Sequence, residues 1–351
     1  MNVSLTICSV SFKSAPYLTL NWELTRQLNT GEDFWKWMVV ENTPEGAIGK
    51  LSLDDNKFVV IPGVDVPKNI TGRGSYHHAA ALNKVISYVK TRFLLILDPD
   101  FFIVRKNWIN EVTGYMIKND LGFFGAPWHP RWYRKYRYFP CVHCMFIDLN
   151  RISLTDIDFM PDLFKSFVSK LWARNEQLLD QKKRIRTCWT VMKHPKRALS
   201  EDIKQRQLIG TSRDTGYSLF QKYAKHSQVK YESIKAVFRP GIDRFKPSGV
   251  SSLQRSRLVE LILPDRLSYI PKRKDYFTRT GFLELGYADL SSLEWEEFIW
   301  RDQPFGFHIR GFLQLVHDVK RNDTLLFQVL ERLTDLKFQG QSPGRQAQRA
   351  T

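Results

Sequence analysis

The stretch FLLILDPDFFIV, residues 93–104, constrains the fold more than any other. A strand with one wet face alternates apolar and polar residues, whereas five consecutive apolar residues (93–97) read as a strand covered on both sides. Covering both faces requires helices interleaved with strands. The neighbouring sequence supplies them. VSLTICSVSF (3–12) is a β-branched strand, and YLTLNWELTRQLN (17–29) places Leu18, Trp22 and Leu28 at helical spacing. FWKWMVVEN (34–42) and KFVVIPG (57–63) are two further strands, the first ended by the turn-rich NTPEG. SYHHAAALNKVISYVK (75–90) puts Ala79, Leu82, Ile86 and Val89 on one helical face. The order strand, helix, strand, strand, helix, strand predicts a mostly parallel central sheet flanked by helices. Ligands of open α/β sheets bind beyond the carboxyl ends of the strands, where Asp98 and Asp100 fall.

Two carboxylates separated by one proline are an unusual end for a buried strand. In an extended chain, side chains at i and i+2 point to the same side, so both acids can face one point, with Pro99 stiffening the bend. Converging carboxylates repel unless a cation or a donor lies between them. Oxygen ligands suit Mg2+ or Mn2+, which share their shell with phosphates and water. The bland alternative is a solvated Asp-Pro-Asp turn.

After this strand, FFGAPWHPRWYRKYRYFPCVHCMFIDLNRI (123–152) reads as strand, aromatic-basic loop, strand. Residues 161–177 have helical spacing, and 177–210 are polar and basic, as in an insertion. RDTGYSLFQKYAKH (213–226) reads as a helix with an acidic start, and VKYESIKAVF (229–238) as a strand. Beyond about residue 250 the pattern weakens until WRDQPFGFHIRGF (300–312) and a helix over 323–338. Residues 338–351 lack an apolar face and are expected to be disordered. No internal repeat is visible.

Lysine and arginine total 53 against 36 acidic residues, a net charge of +17. That balance favours anionic partners: phosphorylated substrates, acidic membrane surfaces or nucleic acid. Four cysteines make no disulfide framework at 351 residues. With no basic leader and no apolar run of roughly 18 residues, the expectation is a reduced, cytoplasmic protein.

Taken together, these segments resemble the family 2 glycosyltransferases, enzymes of the GT-A fold. VSLTICSVSFKSAPYL is similar to the family's first strand and nucleotide-facing turn. WMVVENTPEG is similar to its second strand, with Glu41-Asn42 where the family often has aspartate followed by asparagine. NITGRGSYHHAAALNKVISYVKTRFLLILDPDFF is similar to its loop, helix and DXD-motif strand, in order. The likeness covers residues 2–150 and, more weakly, 205–240. It implies a GT-A catalytic domain over 1–248, with its nucleotide-binding part at 1–150 and its acceptor part at 105–248. A C-terminal extension (249–337) would pack on it and return His308 to the site, and 338–351 would be a tail.

The implied activity is transfer of a sugar from a nucleoside-diphosphate sugar to an acceptor hydroxyl with inversion, of the hexosyltransferase type. Mn2+ or Mg2+ is the implied cofactor. Asp100 would bind the metal directly, while Asp98 would orient the sugar or ribose and support the metal. His308 would approach the same ion or offset phosphate charge, with Arg301 and Arg310 as nearby phosphate partners. Asp214 stands where the family carries its catalytic base, although Arg213 replaces a common companion acid. The plain alternative for Asp214 is a helix cap. Ser11, Phe12, Glu41, Asn42 and Arg73 would line the nucleotide pocket, with His78 nearby. The implied acceptor is a saccharide or lipid-linked molecule of surface-polysaccharide or glycolipid assembly, and the charge allows peripheral contact with an anionic membrane.

Two other motifs compete for attention. HPRWYRKYRYF (129–139) interleaves Arg131, Arg134, Lys135 and Arg137 with aromatics that could stack on sugars or bases, unless it is a solvated basic loop. CVHC (141–144) has no second cysteine pair, and in a strand Cys141 and Cys144 face opposite sides, which disfavours zinc. A basic nucleic-acid-binding module is a rival class, but it leaves the buried strand ending in two acids unexplained. A glycosyltransferase-like protein without catalysis is the other rival, suggested by Glu41 and Arg213.

Overall fold

The computed structural model describes residues 4–30, 34–45, 47, 50–51, 55–65, 73–132, 135–161, 214–225, 228–239, 261–265, 268, 270–309 and 319–338. The helix expected over 161–177, the insertion at 177–210, Arg310 and residues 339–351 lie outside them.

Strands β1 (Leu5–Ser11), β2 (Trp35–Glu41), β3 (Phe58–Pro62) and β4 (Phe93–Leu97) form one side of the larger sheet, all parallel. β4 then pairs with β7 (Pro140–Asp148), which is antiparallel to both its neighbours. β6 (Leu121–Pro127) follows, and β8 (Lys230–Ser233) closes the sheet parallel to β6. The order is β3-β2-β1-β4-β7-β6-β8.

Alternation along these strands builds a core on each face. Leu5, Ile7, Trp37, Leu95 and Phe146 pack with α1 (Ala15–Leu28), α3 (Trp108–Asn119) and α5 (Val319–Thr334). Cys8, Val10, Met38, Ile96 and Met145 pack with α2 (Arg73–Ile86) and α4 (Tyr217–Tyr223). All five residues of β4 are buried. Each buried leucine or isoleucine there stabilises by about 1.5–3 kcal/mol, which fixes the strand and everything at its end. Cys141 and Cys144 lie in opposite cores.

A second sheet, of order β10-β9-β11-β12-β5, is assembled from distant segments: β5 (Phe101–Ile103), β9 (Lys235–Val237), β10 (Phe277–Thr278), β11 (Glu296–Trp300) and β12 (Gln303–His308). The single strand expected over 229–238 is in fact two. β8 belongs to the first sheet and β9 to the second, the chain crossing at Ile234, whose N–H donates to the Gly125 carbonyl at 2.9 Å. Gly125 has φ +153°, and a Cβ there would meet the Cys144 carbonyl oxygen, so the crossing requires glycine. The chain also crosses between β4 and β5, at Asp98-Pro99-Asp100, and returns to the first sheet through α3, which leads from β5 to β6. β11 and β12 form a hairpin whose two turn residues, Arg301 and Asp302, both have positive φ (52° and 56°), as in a type I′ turn.

Candidate active site

The Asp-Pro-Asp tripeptide is a turn rather than the extended segment expected, closed by the Phe101 N–H to the Asp98 carbonyl at 3.1 Å. Its acids nevertheless converge. Asn21, buried in α1, donates through Nδ2 to the carbonyls of Pro99 (3.2 Å) and Phe101 (2.8 Å), fixing the turn from below. β12 pairs with β5 so that His308 stands opposite Phe101, and the Ile309 N–H donates to the Asp100 carbonyl at 3.0 Å. A ligand atom from each of Asp98, Asp100 and His308 lies within 4.8 Å of the others. His308 Nε2 is 3.0 Å from Asp100 Oδ1, and His78 Nε2 is 3.5 Å from Asp98 Oδ1.

Asp98 and Asp100 of this cluster line a cleft of about 1260 Å³ at the carboxyl ends of β1, β2, β3 and β4. Two carboxylates within 4.8 Å of one another repel by about 3 kcal/mol at an effective dielectric near 20. Two hard oxygen donors and one imidazole fit Mn2+ or Mg2+, which would remove that repulsion.

The proposed nucleotide residues divide into those that face the cleft and those that brace it. Phe12 lines the cleft and is 44% exposed. Glu41 also lines it, but its carboxylate is engaged: Oε1 accepts from the Thr43 N–H (2.7 Å), and Oε2 from the Leu51 N–H (2.7 Å) and the Ser11 hydroxyl (2.9 Å). Ser11 is therefore a fully buried strut, and Glu41 holds the loop after β2 across the cleft. Asn42 Oδ1 accepts from the Val64 N–H at 3.0 Å. Arg73 opens α2, and its side chain lies outside the described residues. Gly74, His77 and His78, in the first turns of α2, line the cleft. Nothing lies within 4 Å of where a Gly74 Cβ would sit.

Asp214 precedes α4, whose cap is Gly216, and accepts the Tyr217 N–H at its carbonyl (3.0 Å). Its Oδ1 accepts from the Thr215 N–H at 2.9 Å, and its Oδ2 pairs with Lys135. Burial pushes the Asp214 carboxyl up, but Lys135, Ser75 and the Thr215 N–H outweigh it and hold the pKa at about 2. Thr215 Oγ1 donates to the Ser75 carbonyl at 3.1 Å, so Asp214 lies against the first turn of α2, one residue from the cleft-lining Gly74.

Among its described residues, which do not include Arg134, the basic-aromatic segment turns its cations inward. Arg131 lies 3.6 Å from Glu296, Lys135 pairs with Asp214, and Arg137 donates to the carbonyls of Asp265 (3.1 Å) and Ser268 (2.8 Å). His129 meets the Val237 carbonyl at 2.7 Å. This stretch clamps the second sheet rather than forming a solvated basic loop. Arg301 pairs with Glu111 at 3.3 Å, on the outer side of the hairpin turn.

Two residues that shape the site, Asn21 and Glu296, escaped the sequence reading. Asn21 stands among Leu18, Trp22 and Leu24 on the buried side of α1, and an amide in that apolar company was its signal. Glu296 gave none, since its strand lay in the stretch without clear pattern.

No protein-family model matches the sequence, and no curated protein matches it. Among solved structures, the chain is similar to the mannosyltransferase PcManGT from Pyrobaculum calidifontis in complex with GDP-Man and Mn2+, at 11% identity and TM-score 0.32, over 45% of this chain and 48% of that one. It is similar to S. aureus TarS 1–349 in complex with UDP-GlcNAc at 11% identity and TM-score 0.30, over 45% and 48%. It is similar to the galactosyltransferase LgtC with donor and acceptor sugar analogues at 14% identity and TM-score 0.29, over 43% and 61%. The alignments span about half the length of the first two structures, and likeness at these scores decides nothing about chemistry. Among the described residues no helix is long and apolar enough to cross a membrane.

Proposed function

We propose that this protein is a divalent-cation-dependent, inverting glycosyltransferase of the GT-A, family 2 kind, moving a sugar from a nucleoside-diphosphate sugar to an acceptor hydroxyl. The observation that carries the reading is the convergence of His308 on Asp98 and Asp100, two acids that line a cleft bounded by four parallel strand ends. Those three side chains would hold Mn2+ or Mg2+. When bound, the cation supplies Lewis-acid stabilisation of the charge developing on the departing diphosphate.

In this reading the protein's own groups bind and orient. Phe12 offers a ring face for the base, and Glu41, Ser11 and Asn42 keep the loop above it in place. Asp98 turns toward the sugar or ribose, and the first turn of α2 faces the phosphates. Asp214 accepts the proton of the acceptor hydroxyl. While Lys135 is paired to it, Asp214 is a weak base, so the step requires Lys135 to turn away as the acceptor enters. The acceptor is a saccharide or lipid-linked hydroxyl, in a setting of surface-polysaccharide or glycolipid assembly at the cytoplasmic face of a membrane.

Thermal unfolding with UDP, GDP and dTDP, each with and without Mn2+, tests the reading. One nucleotide should raise the midpoint by on the order of 5 °C at saturation, and only with metal. A comparable rise with random oligonucleotides and none with nucleotides would instead favour the nucleic-acid module. A panel of nucleotide sugars scored by released diphosphate then names the donor, and a protein that binds nucleotide but turns over none of them is the non-catalytic relative.

A further inference from the structure

Glu296 is fully buried at the start of β11, the central strand of the second sheet. Burying a carboxylate costs several kcal/mol, and a well-packed apolar residue is often as stable or more so, which makes the partners of such a group informative. Its neighbour Glu297 is spent on a local loop, accepting the N–H groups of Phe282 (2.6 Å) and Ser291 (3.0 Å). Glu296 faces the other way. It is the direct cross-strand partner of His308 in the β11–β12 hairpin, with Oε2 3.4 Å from His308 Nδ1. Its Oε1 accepts from Trp132 Nε1 and lies 3.6 Å from Arg131 Nε.

We propose that Glu296 is a positioning residue: it orients His308 toward the Asp98–Asp100 pair and ties that orientation to the segment carrying Arg131 and Trp132. The inference rests on the metal reading given above. A carboxylate 3.4 Å from Nδ1 favours the tautomer that carries its proton on Nδ1, and a cation held between Nε2 and Asp100 would then meet the Nε2 lone pair. The ring plane is set as well, by His143 at 4.7 Å and Phe101 at 5.8 Å between ring centroids. The second half of the arrangement reaches outward. Arg131 Nη2 donates to the Glu294 carbonyl at 2.7 Å, so the 131–132 segment grips β11 at two points around Glu296. Any movement of that segment withdraws the Trp132 donor and the Arg131 charge from Glu296 and loosens the histidine it faces. Acceptor-side contacts and the grip on the cation are thereby set together.

The test is Mn2+ affinity of the full chain, read from the free-ion electron paramagnetic resonance signal, with the metal-free unfolding midpoint measured beside it. Glu296→Gln keeps the shape and an oxygen for Trp132 but offers His308 a neutral amide. It should weaken Mn2+ by on the order of 10-fold or more, as losing such an outer partner does, while the metal-free midpoint moves little. Trp132→Phe, which removes the donor to Glu296 while keeping an aromatic ring, should weaken Mn2+ by about 3-fold, a partial form of the same loss. If the wild type binds Mn2+ and His308→Ala weakens it but Glu296→Gln does not, the positioning role is wrong. If Glu296→Gln fails to fold, Trp132→Phe decides, and unchanged affinity overturns the coupling. A folded wild type that binds no Mn2+ overturns the metal reading itself, a separate result.

Discussion

Two groups of carboxylates lie on either side of the site, and they are kept in opposite ways. Asp98 and Asp100, at the end of β4, face His78 and His308. Asp214 and Asp265, around the 128–137 segment, face Lys135 and Arg137, while Glu296 stands between the two groups, 3.6 Å from Arg131 and 3.4 Å from His308. A carboxylate paired with lysine or arginine is already neutralised by a fixed cation and holds structure together. One paired with imidazole can exchange that partner for a diffusible cation, because neutral imidazole is itself a ligand. The net charge of +17 therefore says less about partners than it suggested, since several of the cations that sequence grouped into a patch answer acids inside the fold.

Substitutions on the two sides should separate them. Asp100→Ala should lower metal-dependent nucleotide affinity by at least about 100-fold. Asp265→Ala, on the other side, should leave it within about 2-fold by the same titration calorimetry. Asp214→Asn should cut turnover by about 10²–10⁴, the range for losing a general base, with donor affinity unchanged. Undiminished turnover would return Asp214 to the structural group with its neighbours. Lys135→Met should cost about 2 kcal/mol in urea unfolding near neutral pH.

The same pair has an acid signature. Because the folded pKa of Asp214, about 2, lies below its ordinary 3.8, the pair's contribution is complete above about pH 4 and lost as pH falls toward 2. That acid-limb loss should be smaller in Lys135→Met, whose curve should be flatter between those values. Phe12→Ala should weaken nucleotide by about 5–10-fold through lost stacking, measured with the metal saturating, and leave Mn2+ affinity alone. A change in Mn2+ affinity there would blur the line between base pocket and metal cluster.

The α/β architecture and the acid pair were legible because they are local. An uninterrupted apolar run fixes β4, alternation in β1 and β2 divides two cores, and Asp98 with Asp100 follows within three residues. The second sheet was not, because its strands are short and their partners far apart: β5 and β12 join residues about 200 positions distant in sequence. The Arg301-Asp302 turn lacks the glycine or asparagine that would mark a hairpin. Asp214 stood out as an isolated acid before a helix, but its pairing with Lys135, which decides its strength as a base, comes from a loop 79 residues earlier.

The main chain passes from one sheet to the other at Asp98–Asp100, back through α3 between β5 and β6, and again at Ile234. Three covalent welds among the described residues join the layers, so they cannot swing apart like a clamshell about a single hinge. Whatever enters or leaves the cleft must do so by displacement of the segments rimming it, with the acid pair staying anchored in one of the welds.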